Sequence, residues 1–133
     1  MAIELKPMFD DVAERLGRGS GSRRLEQSFP RAVNRALDGL SLAADLATRH
    51  SHVSGSSESV STLDAEYEPL LYAGVMYWLV RMGHTPSDPR LATALLKETD
   101  NAWEDAQGRY WEAELNATQA TSTNDVIGLG DLS

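Results

Sequence analysis

The sequence predicts an all-α fold: a bundle of about four helices with a long Ser-rich loop and an extended C-terminal arm. Three observations carry that expectation. Asp64 to Gly83, DAEYEPLLYAGVMYWLVRMG, is by far the most apolar stretch of its length, and a helix apolar nearly all round needs cover on several sides. Phe29, Val33, Ala36, Leu37, Leu40, Ala44 and Ala47 recur at steps of three and four, which draws one long amphipathic helix extending to about His50. Leu91, Leu95, Thr99, Ala102, Ala106, Tyr110, Ala113 and Ala117 repeat at nearly helical spacing with no proline among them.

Taken in order, Pro7 to Leu16 places Phe9, Val12, Ala13 and Leu16 on one face of a short helix, with Asp10 and Asp11 near its start and Gly17 closing it. Arg18 to Arg24, RGSGSRR, reads as a basic connector. A phosphate cradle is the sharper reading, but the Lys-Ser/Thr ending of a P-loop is missing and a helix precedes it. Ser28 or Phe29 is expected to cap the second helix, with Pro30 in its first turn where the missing N–H is harmless. Arg31 and Arg35, one turn apart, form a basic stripe with Arg23 and Arg24.

His50 to Leu63, HSHVSGSSESVSTL, holds seven Ser or Thr among fourteen residues and breaks the helical period. It is expected as a loop, with a short hairpin at Gly55 that sets Val53 opposite Val60. His50 and His52 alternate as strand ligands would, but two histidines without cysteine are a weak zinc signal, so no metal and no cofactor are expected. In the central stretch Gly74 leaves a flat spot that invites close approach by a neighbouring helix, and Gly83 is placed as the left-handed residue that ends the helix. Trp78 is expected in the core.

Asp88 as N-cap and Pro89 at the first helical position mark the start of the last helix. To Ala117 it would span roughly 43 Å, longer than the roughly 36 Å diameter of a compact domain of this size. Its outer turns are therefore expected to overhang or bend. Trp103, Tyr110 and Trp111 either cover the central helix or sit in a contact between subunits. Residues 1–117 then form the helical domain, and 118–133 a C-terminal arm. Thr118 to Asn124 is polar, and Val126, Ile127, Leu129 and Leu132 form an apolar tip that is either frayed or docks on a partner.

Composition limits the function. The absence of cysteine excludes disulfides and thiolate metal sites and suits a reducing compartment. The central stretch is interrupted by Pro69, Gly74 and Arg81, and the start lacks the pattern of a signal peptide, so a soluble cytoplasmic protein is expected. Residues 1–50 carry eight Lys/Arg and seven Asp/Glu, a net of +1, and residues 51–133 carry four and thirteen, a net of −9, together the −8 of the whole chain. Such an acidic balance disfavours gripping DNA through its phosphates.

The order of elements resembles the head-to-tail connector, or adaptor, proteins of tailed bacteriophages, small cysteine-free helical proteins that form a ring beneath the portal. The likeness rests on FPRAVNRALDGLSLAADLA (Phe29 to Ala47), on Asp64 to Gly83, and on the long final helix with Trp103. It implies a structural virion protein that is not an enzyme, with the portal protein and a downstream tail or stopper protein as partners. It further implies a homo-oligomeric ring, about twelve-fold as in the family, no membrane, and DNA only as passing cargo. The location is the virion, and the host cytoplasm during assembly. Matched to that role, Trp103, Tyr110, Trp111, Arg31 and Arg35 fall to the subunit interface. His50, His52, Val53, Glu58 and Val60 fall to a loop facing the channel or tail, and Val126, Ile127, Leu129 and Leu132 to the portal-docking arm. A small enzyme would draw on Asp10, Asp11, His50, His52 and His84, but no motif gathers them. A helical interaction module or small regulator is the other alternative.

Overall fold

In chain order a two-residue strand β1 (Ile3–Glu4) leads into α1 (Leu5–Arg15), α2 (Arg23–Ala43), a second short strand β2 (Ser59–Val60), a 3₁₀ turn (Ala65–Tyr67), α3 (Glu68–Arg81) and α4 (Pro89–Leu132). The structure is a computed structural model that describes residues 2–17, 22–44, 46 and 49–132, with 118–132 as backbone alone. The fold is all-α, a bundle of about four helices with one small antiparallel strand pair.

The central helix α3 lies between two others. Arg24 of α2 reaches Gly83 at its far end and Ala36 lies against Gly74, so α2 and α3 run antiparallel. Arg81 pairs with Asp100 and Tyr67 stacks edge-on against Tyr110 at 5.2 Å, which makes α4 antiparallel to α3 as well. α1 closes the other side, with Phe9 edge-on to Phe29 at 5.2 Å and Arg15 paired with Glu98.

Trp103 locks the three long helices together. Its six-membered ring enters a slot whose walls are glycines: a Cβ on Gly39 of α2 would lie 2.6 Å from Cζ2, and one on Gly74 of α3 would lie 2.6 Å from Cζ3. Carbon atoms do not approach below about 3.5 Å without repulsion, so both positions require glycine. The Gly74 position also meets the Ala36 Cβ at 2.6 Å, as expected for a helix brought close at a flat spot. The buried stripe of α4 is Leu95, Thr99, Trp103, Ala106 and Tyr110. Leu91 and Ala102, placed on that stripe by spacing, are exposed.

Helix ends follow their chemistry. Gly83 has φ +94°, the His84 N–H donates to Leu79 O and the Gly83 N–H to Val80 O, the paired bonds by which a left-handed glycine closes a helix. Gly17, at φ +70°, closes α1. Asp88 Oδ1 accepts from the Arg90 N–H at 2.9 Å and caps α4.

Several expectations are corrected. α2 starts at Arg23, not near Pro30: Ser22 is the N-cap, its hydroxyl accepting from the Leu25 N–H at 3.4 Å. Leu25 is fully buried one turn before Phe29, and its burial, about 1.5 to 3 kcal/mol, is comparable to the cost, about 3 kcal/mol, of a proline inside a helix. α2 ends at Ala43, and Ala47 lies outside the described residues, as do Arg18 to Gly21 of the basic connector. Trp78 is half-buried, with Nε1 lacking a hydrogen-bond partner among the described residues and Arg35 stacked 5.1 Å from its ring. Val53 and Val60 do not face each other across a hairpin. Val60 pairs with Ile3 and Glu4 with Ser59, because burying the N-terminal Ile3 against β2 gives each a partner that the serines of the loop lack. The backbone of α4 stays helical to Leu132, through the segment expected as a flexible linker, and no proline follows Pro89 to stop it. The side chains of Val126, Ile127, Leu129 and Leu132 lie outside the described residues.

Trp103→Ala is expected to lower unfolding stability by about 3 to 5 kcal/mol, measured by urea denaturation. Gly74→Ala gains about 1 kcal/mol of helix propensity yet is expected to be destabilising on balance, because overpacking of this kind costs about 1 to 3 kcal/mol. A more stable Gly74→Ala protein would contradict the slot.

Candidate functional site

Two polar regions stand out on the bundle, and the long loop between Ala44 and Ala65 contributes to both. At one end its first residues are drawn onto α2 and α4. Ser41, fully buried, donates to Leu37 O at 3.1 Å and accepts from the His50 N–H at 3.3 Å. This sets the His50 ring with Nε2 3.0 Å from the Tyr110 hydroxyl and Nδ1 3.2 Å from Thr62 Oγ1. The Ser51 N–H also donates to Thr62 Oγ1, at 3.3 Å. A neutral imidazole with its proton on Nδ1 satisfies the set: Nδ1–H donates to Thr62 and Nε2 accepts from the tyrosine.

Burial pushes the His50 pKa below its usual value, against the opposing hydrogen bond to Thr62 and the charges of Glu114 and Asp38. Burial also pushes the Tyr110 phenol up to about 12, helped by Glu114, Tyr67 and Asp64. Tyr67 shifts up for the same reasons, burial first and then Glu66, Glu114 and Asp64. A general base needs a pKa near the working pH and a free lone pair facing substrate. His50 instead has both nitrogens engaged by the protein's own side chains, so the cluster fastens the loop to α4.

A little further along, Asn34 of α2 acts as a substitute strand. Its Nδ2 donates to Val53 O and its Oδ1 accepts from the Val53 N–H, each at 2.8 Å. His52 Nε2 lies 2.9 Å from Asp38 Oδ1, with Arg49 3.8 Å from the other oxygen. The Glu58 carboxylate accepts from the Ser54 N–H at 2.7 Å and from the Ser54 hydroxyl at 2.8 Å. These two bonds, the hydroxyl first, hold the Glu58 pKa below the usual carboxylate range.

The second region is an open cleft of about 850 Å³ between the first turns of α2 and the turn at Ser54, Gly55 and Ser56. Arg23, Arg24 and Arg31 line it, with Glu26 as the acidic member. None of the three arginines enters an ion pair among the described residues.

The site residues expected from sequence are therefore redistributed. Trp103 and Tyr110 are buried within the chain itself, 5% and 2% exposed, and are withdrawn from any subunit interface. Trp111 remains, at 45% exposed. Arg31 faces the cleft and Arg35 stacks on Trp78. Of the loop residues, Val53 and Val60 are buried and His50 is half-buried, so only His52 and Glu58 keep the exposure a channel-facing role needs. The enzyme candidates are scattered: Asp10 pairs with Lys6 on α1, His50 and His52 have separate partners on α4 and α2, and His84 is buried at the end of α3. No three potential metal ligands gather among the described residues, and no described helix is long and apolar enough to cross a membrane. Both the cleft and the His50 cluster escaped the sequence reading, since each joins segments distant in the chain through contacts with no local period. The basic stripe at Arg23, Arg24 and Arg31 was the one legible signal.

No family model, curated protein or solved structure matches this chain.

The titrations give a test of the fastening. Because the His50 pKa is lowered on folding, the unfolded chain takes up the proton first. Stability from this group is complete above about pH 6.5 and is lost as pH falls through the folded value. The Tyr110 pKa is raised, so its contribution is complete below about pH 10 and is lost as pH rises through about 12. His50→Gln is expected to flatten the acid side of the melting-temperature profile. An unchanged slope would show that His50 does not titrate in this environment.

Proposed function

We propose that this chain is a structural assembly subunit, the head-to-tail connector of a tailed bacteriophage, working through contact surfaces rather than chemistry. One observation carries the reading. The buried stripe of α4 runs from Leu95 to Tyr110, while its helical backbone continues to Leu132, roughly 33 Å further at 1.5 Å per residue. A helix that outruns its own core has turns to offer to neighbours.

The surface of α4 supports the same reading. Leu91, Leu96 and Trp111 are exposed at 58%, 39% and 45%, on the same helix as the exposed carboxylates of Glu104, Asp105 and Glu112. An exposed tryptophan and two exposed leucines on an acidic helix suit lateral packing in a ring, where Trp is a frequent anchor. In this reading Trp111 serves the subunit contact, His52 and Glu58 lie on the loop toward the channel or tail, and the end of α4 meets the portal. The net charge of −8 suits a passage that lets DNA through without holding it.

The isolated protein is expected to be a monomer or weak oligomer in light scattering, because no segment carries the heptads of a stable coiled coil. Electron microscopy of the protein mixed with a portal assembly is expected to show a ring of density beneath the portal. Deleting residues 118–133 should leave the melting temperature nearly unchanged and abolish that ring. A Trp111→Glu variant should change stability by no more than about 0.5 kcal/mol, as surface substitutions do, and also fail to assemble. A tight closed dimer in solution, or a truncated protein that still binds the portal, would overturn the reading. So would a gene flanked by metabolic rather than portal and tail genes.

A further inference from the structure

We propose that the cleft between the start of α2 and the Ser54 to Ser56 turn binds a small ligand bearing more than one phosphoryl group. The inference does not depend on the connector reading.

The cleft concentrates positive charge on an acidic protein. Three of the chain's 12 Lys/Arg meet there as Arg23, Arg24 and Arg31, against the single carboxylate of Glu26. Arg23 and Arg31 stand two helical turns apart on α2, so their side chains bracket the opening. Arg24 lies along Gly83 and flanks it. Like-charged side chains that form no ion pair among the described residues repel one another, and a bound anion relieves that repulsion. Guanidinium groups present parallel N–H donors in the geometry that phosphoryl oxygens accept.

The opposite wall is a turn held in place. The Glu58 carboxylate ties both the N–H and the hydroxyl of Ser54, and the Glu58 N–H donates to Gly55 O at 3.5 Å. This leaves the Ser56 hydroxyl on the lining as a further donor. Glu58, whose charge would oppose an anion, is neutralised in part by the donors it accepts from.

Size and lining narrow the ligand class. About 850 Å³ lies within the range of small-molecule sites, about 300 to 1,000 Å³, and has room for more than one phosphoryl group. Among the described residues no aromatic side chain lines the cleft, so they offer no platform on which a base would stack, and recognition falls on the charged groups. The net charge of −8 repels a long polyanion before it arrives, which favours a small ligand over a nucleic acid.

The test is calorimetric titration of the full chain with pyrophosphate at ionic strength matched with chloride. Saturable one-to-one binding is expected, weakened at least tenfold in Arg31→Gln and lost in Arg23→Gln/Arg31→Gln. Arg35→Gln, outside the cleft, should bind as the unaltered chain does. All three positions are exposed on α2, and matching thermal melts check that the variants fold. ADP and inorganic phosphate distinguish the sources: ADP equal to pyrophosphate means that only the phosphoryl groups are read, and inorganic phosphate should bind more weakly than either. Absence of saturable binding, equal binding by the double variant, or tighter binding of a duplex oligonucleotide than of pyrophosphate would overturn the assignment.

Discussion

The bundle depends on one indole ring held between two glycines. α2, α3 and α4 each have an apolar face, but apolar faces alone allow many rotations and registers, since burial is roughly proportional to area and indifferent to direction. Trp103 removes that freedom. Its ring fits only where Gly39 and Gly74 stand opposite each other, and this sets how far α4 slides along both partners at once. From that register follow the pairs on either side: Arg81 with Asp100 toward one end, Tyr67 with Tyr110 toward the other. Exposed ion pairs contribute little by themselves. They report the register that the ring imposes.

A second layer of order comes from polar groups that bring an unstructured sequence onto this frame. The Ser-rich loop has no hydrophobic period to guide it, and its backbone would be costly to bury without partners. Asn34 supplies both a donor and an acceptor to Val53, Ser41 and Thr62 receive backbone N–H groups from His50 and Ser51, and the N-terminal strand pairs with β2. Val53, Val60 and Leu63 can then enter the core. The histidines that invite a catalytic or metal reading in the sequence are spent on this fastening, His50 to Tyr110 and His52 to Asp38.

What remains at the surface is divided by charge. The exposed side of α4 is acidic with isolated apolar residues, and the start of α2 gathers arginines that form no ion pair among the described residues against a serine turn. The connector reading draws on the first surface and the phosphoryl-ligand reading on the second. They lie on different helices, so each can fail without the other.

The sequence by itself determined the all-α class, the central helix, and the ends that local chemistry dictates. Gly83 terminates α3 because a left-handed residue is needed there, and Asp88 with Pro89 starts α4 because a carboxylate and a ring without an N–H suit a helix start. Gly74 was legible as a point of close approach for the same local reason. Only the tertiary structure decided that Trp103 rather than Trp78 fills the slot, since both occur in helices with apolar neighbours and nothing local tells which ring meets a glycine on another helix. It also decided that α2 begins at Arg23 despite Pro30, because burial of Leu25 against the bundle offsets the proline's cost. The pairing of Ile3 with Val60, the His50 to Tyr110 contact and the arginine cleft belong to the same class. Each joins residues far apart in the chain, and such contacts leave no period in the sequence from which to read them.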